Sequence, residues 1–527
     1  MKKACSVILT LLILFASVSL CANAADSDAL RVLVTSDTHW HDVGSVNPDG
    51  FYRPRASLGQ MTSLTPLIFD RFLKDAAASD ADCVFISGDL TDYGNNDAVA
   101  FAQILADFED TTGKQVFVVP GNHDIHMSSD PNDHLRFRRV YHRFGWDEAL
   151  AIDEATSSYT ADLKGGYRLL ALNSNKADGG GLLTDSLLAW IEAQVNAAKA
   201  DGKKLVAMMH HQLMEHITLE QTIDGFYVLD NYKDVCKQFA KWNIRVTFTG
   251  HMHIGDIAAY DGKTTIYDVN TYALSCYPLR YRDVTFRDDA ITIQSRTIDS
   301  LDTANIVPGY SDAQKTMIAT DPVGYAYGCQ QDSLIEEYVR GFVDADKLTD
   351  ALGLEADSVG AKALKRILPE NILIPLYGEG ETVDAMAKAL GYDLPESDYE
   401  TVADLIAAFW AALVRGDENL GGSSPEGKLF LDAAYALFAT KAAQESPAVR
   451  ALLSSKLIAR LGLKGVDNIF SRKTLDLILT GLMVDKAPAD NDLALPGYSV
   501  NTGSFAYRIT AFFQKLLDFF RALFTVR

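Results

Sequence analysis

Five short apolar runs in the first half of the chain each end on polar residues. The runs cover residues 31–34, 83–86, 115–119, 205–209 and 245–248, and they are rich in β-branched and aromatic side chains. Runs that are apolar on both faces predict fully buried strands. Because open α/β sheets build their sites just beyond the carboxyl ends of strands, the polar residues that follow are candidates for one common site.

The pattern changes after the fifth run. Residues 264–269 and the alternating stretch 281–298 predict closing strands, which would complete a second sheet packed against the first. From about residue 312 apolar residues recur at three- and four-residue spacing, which predicts helices over 333–343, 401–415, 427–443 and 452–461. We therefore expect an α/β domain at 25–300 and an all-α domain at 312–500, for which the sequence indicates no function.

Each end of the chain has a pattern of its own. Lys2 and Lys3 precede an apolar run at 7–20 and small residues at 22–24, which is typical of a secretory signal peptide cleaved after Ala24. We therefore expect an exported protein, whether extracellular, periplasmic or associated with the cell envelope. Residues 503–527 predict an amphipathic, aromatic-rich helix. Such a helix either makes a peripheral contact with a membrane or envelope or packs on its own protein, and we favour the second.

Composition narrows the possible partners. The 527 residues carry a net charge of −22, which argues against binding a nucleic-acid duplex, because phosphate backbones require clustered Lys and Arg. The content of 48% hydrophobic residues gives no signature of disorder, and the length allows two or three domains. Four cysteines follow residue 24, too few for a disulfide scaffold in a chain of this length: Cys83, Cys236, Cys276 and Cys329.

Metal-binding residue types follow all five apolar runs. The polar blocks are DTH at 37–39, GD at 88–89, GNHD at 121–124, HH at 210–211 and GHMH at 250–253. All eleven histidines lie between His39 and His253. Together the blocks offer carboxylate, imidazole and amide ligands for two metal ions, and this mixture favours zinc, manganese or iron over magnesium or calcium. Glycines at 88, 121 and 250 would let the backbone turn sharply and approach a ligand closely.

In this order the blocks resemble the calcineurin-like metallophosphoesterase superfamily, whose motifs run D-x-H, GD, GNH-D/E, H and GH-x-H. The match covers roughly residues 30–300, and the forms GDLTDYG and GNHD are most similar to the branch of cyclic-nucleotide and glycerophosphodiester phosphodiesterases. The resemblance implies a two-sheet β-sandwich flanked by helices. It also implies an enzyme that hydrolyses small phosphodiesters by in-line attack of a hydroxide that bridges two metal ions.

The resemblance also assigns roles by position. Asp89 would bridge the two ions. The ligands of the first ion would be Asp37, His39 and His253, and those of the second Asn122, His210 and His251. His123 would lie near the scissile bond as an acid or a charge stabiliser. Asp124 would either hold the ring of His123 in one tautomer or cap the following segment. His210 is favoured over His211 because it comes first after the strand.

Two other functions remain open at this point. One is a phosphomonoesterase or nucleotidase that uses the same centre, and the other is an envelope-binding protein whose phosphoesterase domain is vestigial. The intact ligand set argues against a vestigial site. The sequence assigns no substrate-binding residue. Solvated or hydrogen-bonded roles are expected for the remaining histidines, of which the last is the best candidate for substrate contact: His41, His126, His134, His142 and His216.

Overall fold

The computed structural model describes residues 28–42, 59–92, 95–126, 129–218, 220–221, 225–343, 373–416, 420–438 and 472–484, together with 486, 488, 492–500 and 502. The predicted signal peptide at 1–24, the predicted helix at 452–461 and the amphipathic segment at 503–527 lie outside these residues. Within the described ranges, every helix is too short or too polar to cross a membrane.

The strands and helices lie in the following places. The strands are β1 (Leu30–Thr35), β2 (Cys83–Ile86), β3 (Gln115–Val118), β4 (Ala151–Ile152), β5 (Tyr159–Asp162), β6 (Tyr167–Ala171), β7 (Lys204–Met208), β8 (Val246–Thr249), β9 (Ile257–Asp261), β10 (Thr265–Asn270), β11 (Arg280–Phe286), β12 (Ala290–Thr297) and β13 (Leu493–Pro496). The helices are α1 (Thr65–Ala78), α2 (Asn95–Thr112), α3 (Asp133–Tyr141), α4 (Asp185–Ala200), α5 (Tyr232–Trp242), α6 (Asp312–Thr320), α7 (Pro322–Val343), α8 (Val383–Ala389), α9 (Val402–Arg415), α10 (Pro425–Phe438) and α11 (Arg472–Met483). Single 3-10 turns lie at Thr62–Leu64 and Lys164–Gly166.

Two mixed sheets form the centre of the protein. The first has the order β13-β12-β11-β1-β2-β3 and the second β4-β5-β6-β7-β8-β10-β9. The five predicted runs are β1, β2, β3, β7 and β8, which confirms the strand prediction. Within each sheet they pair in parallel, so their carboxyl ends meet at one edge.

The closing strands are divided between the sheets, which differs from the prediction that they complete the second one. β10 pairs in parallel with β8 in the second sheet. β11 and β12 form an antiparallel hairpin that joins the first sheet, because β11 pairs with β1 in the register Leu30 to Phe286. Both stretches read equally well as strands from their alternation, but only the pairing partner decides the sheet.

The two sheets face each other across an aromatic core. The ring of Phe85 on β2 lies 6.0 Å from that of Phe248 on β8, which in turn lies 6.2 Å from Phe286 on β11. On the outer faces, α1 and α2 cover the first sheet through residues such as Phe72, and α4 and α5 cover the second through residues such as Phe239. The sandwich of two sheets flanked by helices confirms the predicted fold class.

The described part of the C-terminal half is helical, as predicted, apart from one strand. Helices α8, α9, α10 and α11 contribute to a separate apolar core that includes Leu405 and Phe409. The exception is β13, which pairs antiparallel with β12 and so extends the first sheet from a stretch that we assigned to the all-α domain. Arg245, just before β8, donates to the backbone carbonyls of Gly497 and Val500. These two bonds hold the chain that follows β13.

Candidate metal centre

The strand-end loops bring the predicted ligands together at the shared edge of the two sheets. Three groups of residues each offer ligand atoms that lie within 4.8 Å of one another. The amide oxygen of Asn122 joins them, at 3.0 Å from His210 Nε2. The groups are Asp37, His39 and His253; His39, Asp89 and His123; and Asp89, His210 and His251. Two of these groups are parts of the two ligand sets that the sequence predicted.

Asp89 lies between the two ligand sets. Its Oδ2 atom lies 3.3 Å from His210 Nε2 on one side and 3.9 Å from His39 Nε2 on the other. Its Oδ1 atom accepts a hydrogen bond of 2.8 Å from the backbone N–H of His123. Burial alone would raise the pKa of Asp89, but the positive charge of His210 and His123 holds it well below its usual value. The carboxylate is therefore ionised, with one oxygen facing both sets.

The first ligand set has its lone pairs directed at one another. His39 Nε2 and His253 Nε2 lie 3.2 Å apart, and His253 Nε2 lies 3.2 Å from Asp37 Oδ1. The other carboxylate oxygen of Asp37 accepts a hydrogen bond of 3.0 Å from the backbone N–H of His251. This bond leaves Oδ1 as the atom that faces the two imidazoles.

In the second ligand set, hydrogen bonds distinguish His210 from His211. His210 Nδ1 donates to the carbonyl of Ser87 at 3.0 Å, which leaves Nε2 as the atom that faces Asn122 and Asp89. His211 instead donates from Nε2 to the carbonyl of Gly179 at 3.0 Å, while Nδ1 lies 2.9 Å from Ser174 Oγ. Both nitrogens of His211 are thus engaged away from the centre, and the geometry favours His210 as the ligand.

The pKa shifts of His210 and His211 also distinguish the two residues. Burial alone would lower the pKa of His210, but the charge of Asp89 and the hydrogen bond to it raise this pKa to about 9. Burial and the charge of His210 lower the pKa of His211 to about 3. His211 is therefore a neutral, hydrogen-bonded residue, whereas His210 lies where positive charge is stabilised.

Backbone strain is concentrated at the centre. Of the eight non-glycine residues with positive φ in the described chain, five are predicted ligands: Asp37, His39, Asp89, His251 and His253. This left-handed conformation disfavours side chains other than Gly, Asn or Asp, and it persists only where the surroundings enforce it. The loops are therefore held in a conformation that points the ligands inward.

Two glycines allow the loops to approach one another. A Cβ atom at Gly121 would collide with the carboxylate and the backbone N of Asp89, and one at Gly250 would collide with Ser36 and with the carboxylate of Asp37. Only glycine leaves room for the carboxylates at these positions. The close approach that we predicted from the sequence is confirmed.

Asp124 does not have the role that we predicted for it, and Asp92 has that role instead. The carboxylate of Asp124 accepts from the backbone N–H groups of Leu90, Thr91 and Gly121 at 2.9–3.1 Å, so it ties the GD and GN loops together and neither orients His123 nor caps the following segment. Burial and the charge of Asp89 raise its pKa to about 7. Asp92 Oδ1 lies 3.0 Å from His123 Nδ1 and 3.6 Å from His39 Nδ1.

His216, our best candidate among the other histidines for substrate contact, has a different position. Its ring is fully buried between Asp256, at 2.8 Å from Nδ1, and Asp268, at 3.3 Å from Nε2. This agrees with the hydrogen-bonded role that we expected for it, and it excludes the alternative of substrate contact, because no part of the ring is accessible. His41 and His134 are hydrogen-bonded to Asp97 and Ser157, as expected of histidines with a structural role.

The sequence did not predict that an aromatic residue lies at the rim of the centre. Phe226 is 41% exposed, and its ring centroid lies 5.1 Å from that of His251. A Cβ atom at Gly179 would lie 3.3 Å from the tip of the Phe226 ring and 3.9 Å from Asn122 Cβ, so the ring borders the second ligand set. No motif includes Phe226, and its position depends on the fold of the loop between β7 and α5.

The donor set fits a pair of metal ions. His251 Nε2 is buried and has no hydrogen-bond partner among the residues that the structure describes. Leaving such an atom without a partner is costly, and a bound cation would satisfy it. Imidazole nitrogens mixed with carboxylate and amide oxygens suit zinc, manganese or iron.

Comparisons with known proteins find similarity to phosphoesterases. Residues 30–255 match the family model for the calcineurin-like phosphoesterases. A probable cyclic nucleotide phosphodiesterase of Coxiella burnetii is 26% identical over 202 residues, which cover 38% of this chain and 69% of that protein. Another, from Fibrobacter succinogenes, is 28% identical over 182 residues, 33% of this chain and only 58% of that protein. A dimetal phosphatase structure from Danio rerio aligns with a TM-score of 0.34 and 13% identity, over 51% of this chain and 96% of that one.

Proposed function

We propose that this chain, whose residues 30–255 belong to the calcineurin-like phosphoesterase family, is an exported metal-dependent phosphodiesterase. The observation that carries the proposal is Asp89 Oδ2, which faces His210 at 3.3 Å and His39 at 3.9 Å. One oxygen shared by two sets of nitrogen and oxygen donors is the arrangement that a two-metal hydrolytic centre requires. Export rests on the sequence pattern of residues 1–24 alone.

The protein's contribution to the reaction is a rigid arrangement of donors. Two bound metal ions would supply positive charge over the phosphoryl oxygens and an acidified water as the nucleophile. The backbone N–H groups of His251 and His123 hold one oxygen each of Asp37 and Asp89. The other oxygen of each carboxylate is therefore fixed before substrate arrives, which reduces reorganisation during the reaction.

We also propose that His123 acts on the leaving oxygen. Asp92 accepts the Nδ1 proton of His123 at 3.0 Å, so Nε2 is the atom that can give a proton to a leaving alkoxide. Burial alone would lower the pKa of His123, but the charges of Asp89 and Asp92 raise it. The ring can therefore carry a proton at neutral pH. Asp92 acts through His123 and is a positioning residue.

The preference for diesters rests on two observations. Both relatives are named probable cyclic nucleotide phosphodiesterases. In addition, the exposed Phe226 ring beside the second ligand set provides an apolar surface for the organic group of a substrate whose phosphorus lies at the centre. Aromatic side chains stack on nucleobases with a free energy of about 1–3 kcal/mol per base.

The first experiment compares two model substrates. Metal-stripped protein is refilled with manganese, zinc or iron and tested on bis(p-nitrophenyl) phosphate and on p-nitrophenyl phosphate. We expect metal-dependent hydrolysis with the larger kcat/KM for the diester. A larger value for the monoester would replace the proposal with a phosphatase or nucleotidase. No turnover with any metal that binds would favour a binding protein with a vestigial catalytic domain.

A second experiment tests the contribution of Phe226 to substrate choice. We expect Phe226→Ala to raise KM about 10-fold for cyclic nucleotides, in line with the loss of one stacking contact. For a glycerophosphodiester, which has no ring to stack, KM should hardly change. Phe226→Trp is the matched control and should retain the low KM. An equal effect on both substrate classes would remove Phe226 from substrate recognition.

A further inference from the structure

We infer that the C-terminal half positions metal ligands, with the end of α9 and Lys486 holding two loops that carry three of the four histidine ligands. The first histidine loop is residues 209–217 after β7, and the second is residues 250–256 after β8. The family match ends at residue 255, so this assigns a role to a part of the chain that the match does not cover. The inference rests on the proposed metal centre.

The second histidine loop contacts the end of α9 directly. The backbone N–H of Gly255, two residues beyond His253, donates to the carbonyl of Val414 at 3.0 Å. The last four carbonyls of a helix have no partner within the helix, so this bond satisfies an acceptor that would otherwise need water. The bond fixes the loop immediately after its second ligand.

Apolar packing reinforces this contact. Leu413 of α9 forms a small buried cluster with Ile254 and Ile217, and the partly buried Met252 and Trp410 pack against it. Ile254 directly follows His253, Met252 lies between His251 and His253, and Ile217 belongs to the first histidine loop. One apolar cluster therefore joins the end of α9 to both loops.

The residue after Val414 adds a polar contact. A guanidinium nitrogen of Arg415 donates to Tyr277 Oη at 3.2 Å, and the Tyr272 hydroxyl lies 3.5 Å from the Arg415 carbonyl. The Tyr272 ring also occupies the space into which a side chain at Gly255 would project. The end of α9 is therefore fixed against the strand-end residues that surround the second histidine loop.

The first histidine loop has its own contact with the C-terminal half. The backbone N–H of Lys486 donates to the carbonyl of His216 at 3.0 Å, and its ammonium group lies 3.0 Å from Glu215 Oε2. The Tyr232 hydroxyl donates to the same carboxylate at 2.8 Å. Residues 215 and 216 lie near the end of the first histidine loop, so these contacts fix that end of the loop.

These contacts matter because the ligands that they support are strained. His251 has φ 71° and His253 φ 63°, a left-handed conformation that is uncommon for any residue except glycine, although histidine adopts it more often than most, and that the surroundings stabilise here. Without the helix, the second loop would relax towards ordinary backbone geometry and its ligand atoms would move apart. Packing at Leu413 is thereby coupled to metal affinity.

The test compares two leucines of the same helix. Leu413→Ala removes a side chain of the cluster that includes the histidine loops, whereas Leu405→Ala removes a buried side chain of the separate C-terminal core. Metal-stripped full-length variants are titrated calorimetrically with Mn²⁺ in the absence of substrate. We expect both variants to unfold at lower temperature than wild type. Only Leu413→Ala should bind Mn²⁺ more weakly, by about 10-fold or more, as is usual for residues that support metal ligands.

Two outcomes separate this inference from the proposed function. Equal Mn²⁺ affinities of Leu413→Ala and Leu405→Ala would overturn the inference while leaving the metal centre intact. Wild-type protein that binds no metal would overturn the proposed function first. If Leu413→Ala does not fold, Leu413→Val removes one methylene and is compared with Leu405→Val, and equal affinities of that pair count against the inference in the same way.

Discussion

Two buried clusters of histidine and aspartate lie at the same edge of the second sheet, and they differ in which atoms face the ring nitrogens. In the metal centre, His39 and His253 direct Nε2 atoms at each other across 3.2 Å. In the second cluster, the His216 ring lies between carboxylate oxygens of Asp256 and Asp268, at 2.8 and 3.3 Å. In the first arrangement two imidazoles meet beside one carboxylate oxygen, as ligands around a metal ion do, whereas in the second a single imidazole lies between two carboxylates and its protonated form is their cation. Residue type and burial alone do not separate the two.

The largest effect is expected at the carboxylate that the two ligand sets share. Asp89→Asn removes the negative charge while keeping the shape of the side chain and an acceptor for the His123 N–H. We expect hydrolysis to fall on the order of 10³-fold, as for the loss of one preorganised charge in other active sites. The measurements are steady-state hydrolysis and bound metal per chain. Wild-type activity in a folded Asp89→Asn protein would show that the metal centre does not depend on the carboxylate of Asp89.

His216 should show the opposite behaviour. His216→Gln leaves two buried carboxylates without their cation, and removing one member of a buried ion pair destabilises proteins by about 3 kcal/mol or more. We expect a correspondingly lower free energy of unfolding in urea. The affinity for Mn²⁺ should stay within about threefold of wild type, since the backbone contacts of the loop are retained. A loss of metal with unchanged stability would mean that His216 belongs to the centre.

His210 and His211 are neighbours in one loop, and their substitutions should affect metal binding differently. His210→Ala should weaken metal binding about 100-fold, whereas His211→Ala should change it only a few-fold, within the range seen for residues outside the ligand shell. The His211 variant instead leaves Ser174 and the Gly179 carbonyl without a partner and should lower the unfolding temperature. Metal titration and thermal unfolding of the two variants side by side provide the measurement. If His211→Ala weakened metal binding more than His210→Ala did, His211 would be the ligand and His210 the residue that supports it.

The smallest effect is a pH dependence of stability. Burial alone would lower the pKa of His216, but Asp256 and Asp268 raise it from 6.5 to about 10. Between these values the folded protein holds a proton that the unfolded chain releases. The stabilisation from His216 is therefore complete below pH 6.5 and is lost as the pH rises towards 10. Glu220, whose pKa burial raises from 4.5 to about 7, changes the stability mainly between these two values, which overlap the interval of His216 only at its lower end.

This pH dependence is tested by difference. The unfolding temperature of the wild type should fall more steeply between pH 7 and 10 than that of His216→Gln, which has no proton to lose at this position. Lysines, tyrosines and cysteines titrate in both proteins and cancel in the comparison. Parallel curves for the two proteins would show that the His216 ring is not charged in the folded state.

Much of the centre could be predicted from the sequence, because each ligand follows an apolar run and parallel strands end at one edge. His210 and His211 could not be separated by position alone, since the distinction depends on the carbonyl of Ser87 and on Gly179. Asp124 was misassigned because it adjoins His123 in the chain, whereas its carboxylate accepts backbone N–H groups of the neighbouring loop. Asp92 was missed, because only the turn after Asp89 brings it to the ring.

The fold shows the same limit. The five buried strands and the helical second half follow from periodicity, which is a local property. The position of the hairpin of β11 and β12 in the first sheet does not, because it depends on pairing with β1 about 250 residues earlier in the chain. The strand at Leu493–Pro496 is four residues long and carries no alternation, and it is a strand because β12 offers it an edge.

The most direct test of the account is the position of bound metal. Crystals of protein loaded with manganese or zinc are measured at the absorption edge of the metal, so that anomalous difference density locates the ions. We expect two peaks about 3.5–4 Å apart, one on each side of Asp89. The first peak should lie beside Asp37, His39 and His253, and the second beside Asn122, His210 and His251. A peak between His216 and its two aspartates, or no peak beside Asp89, would contradict this expectation.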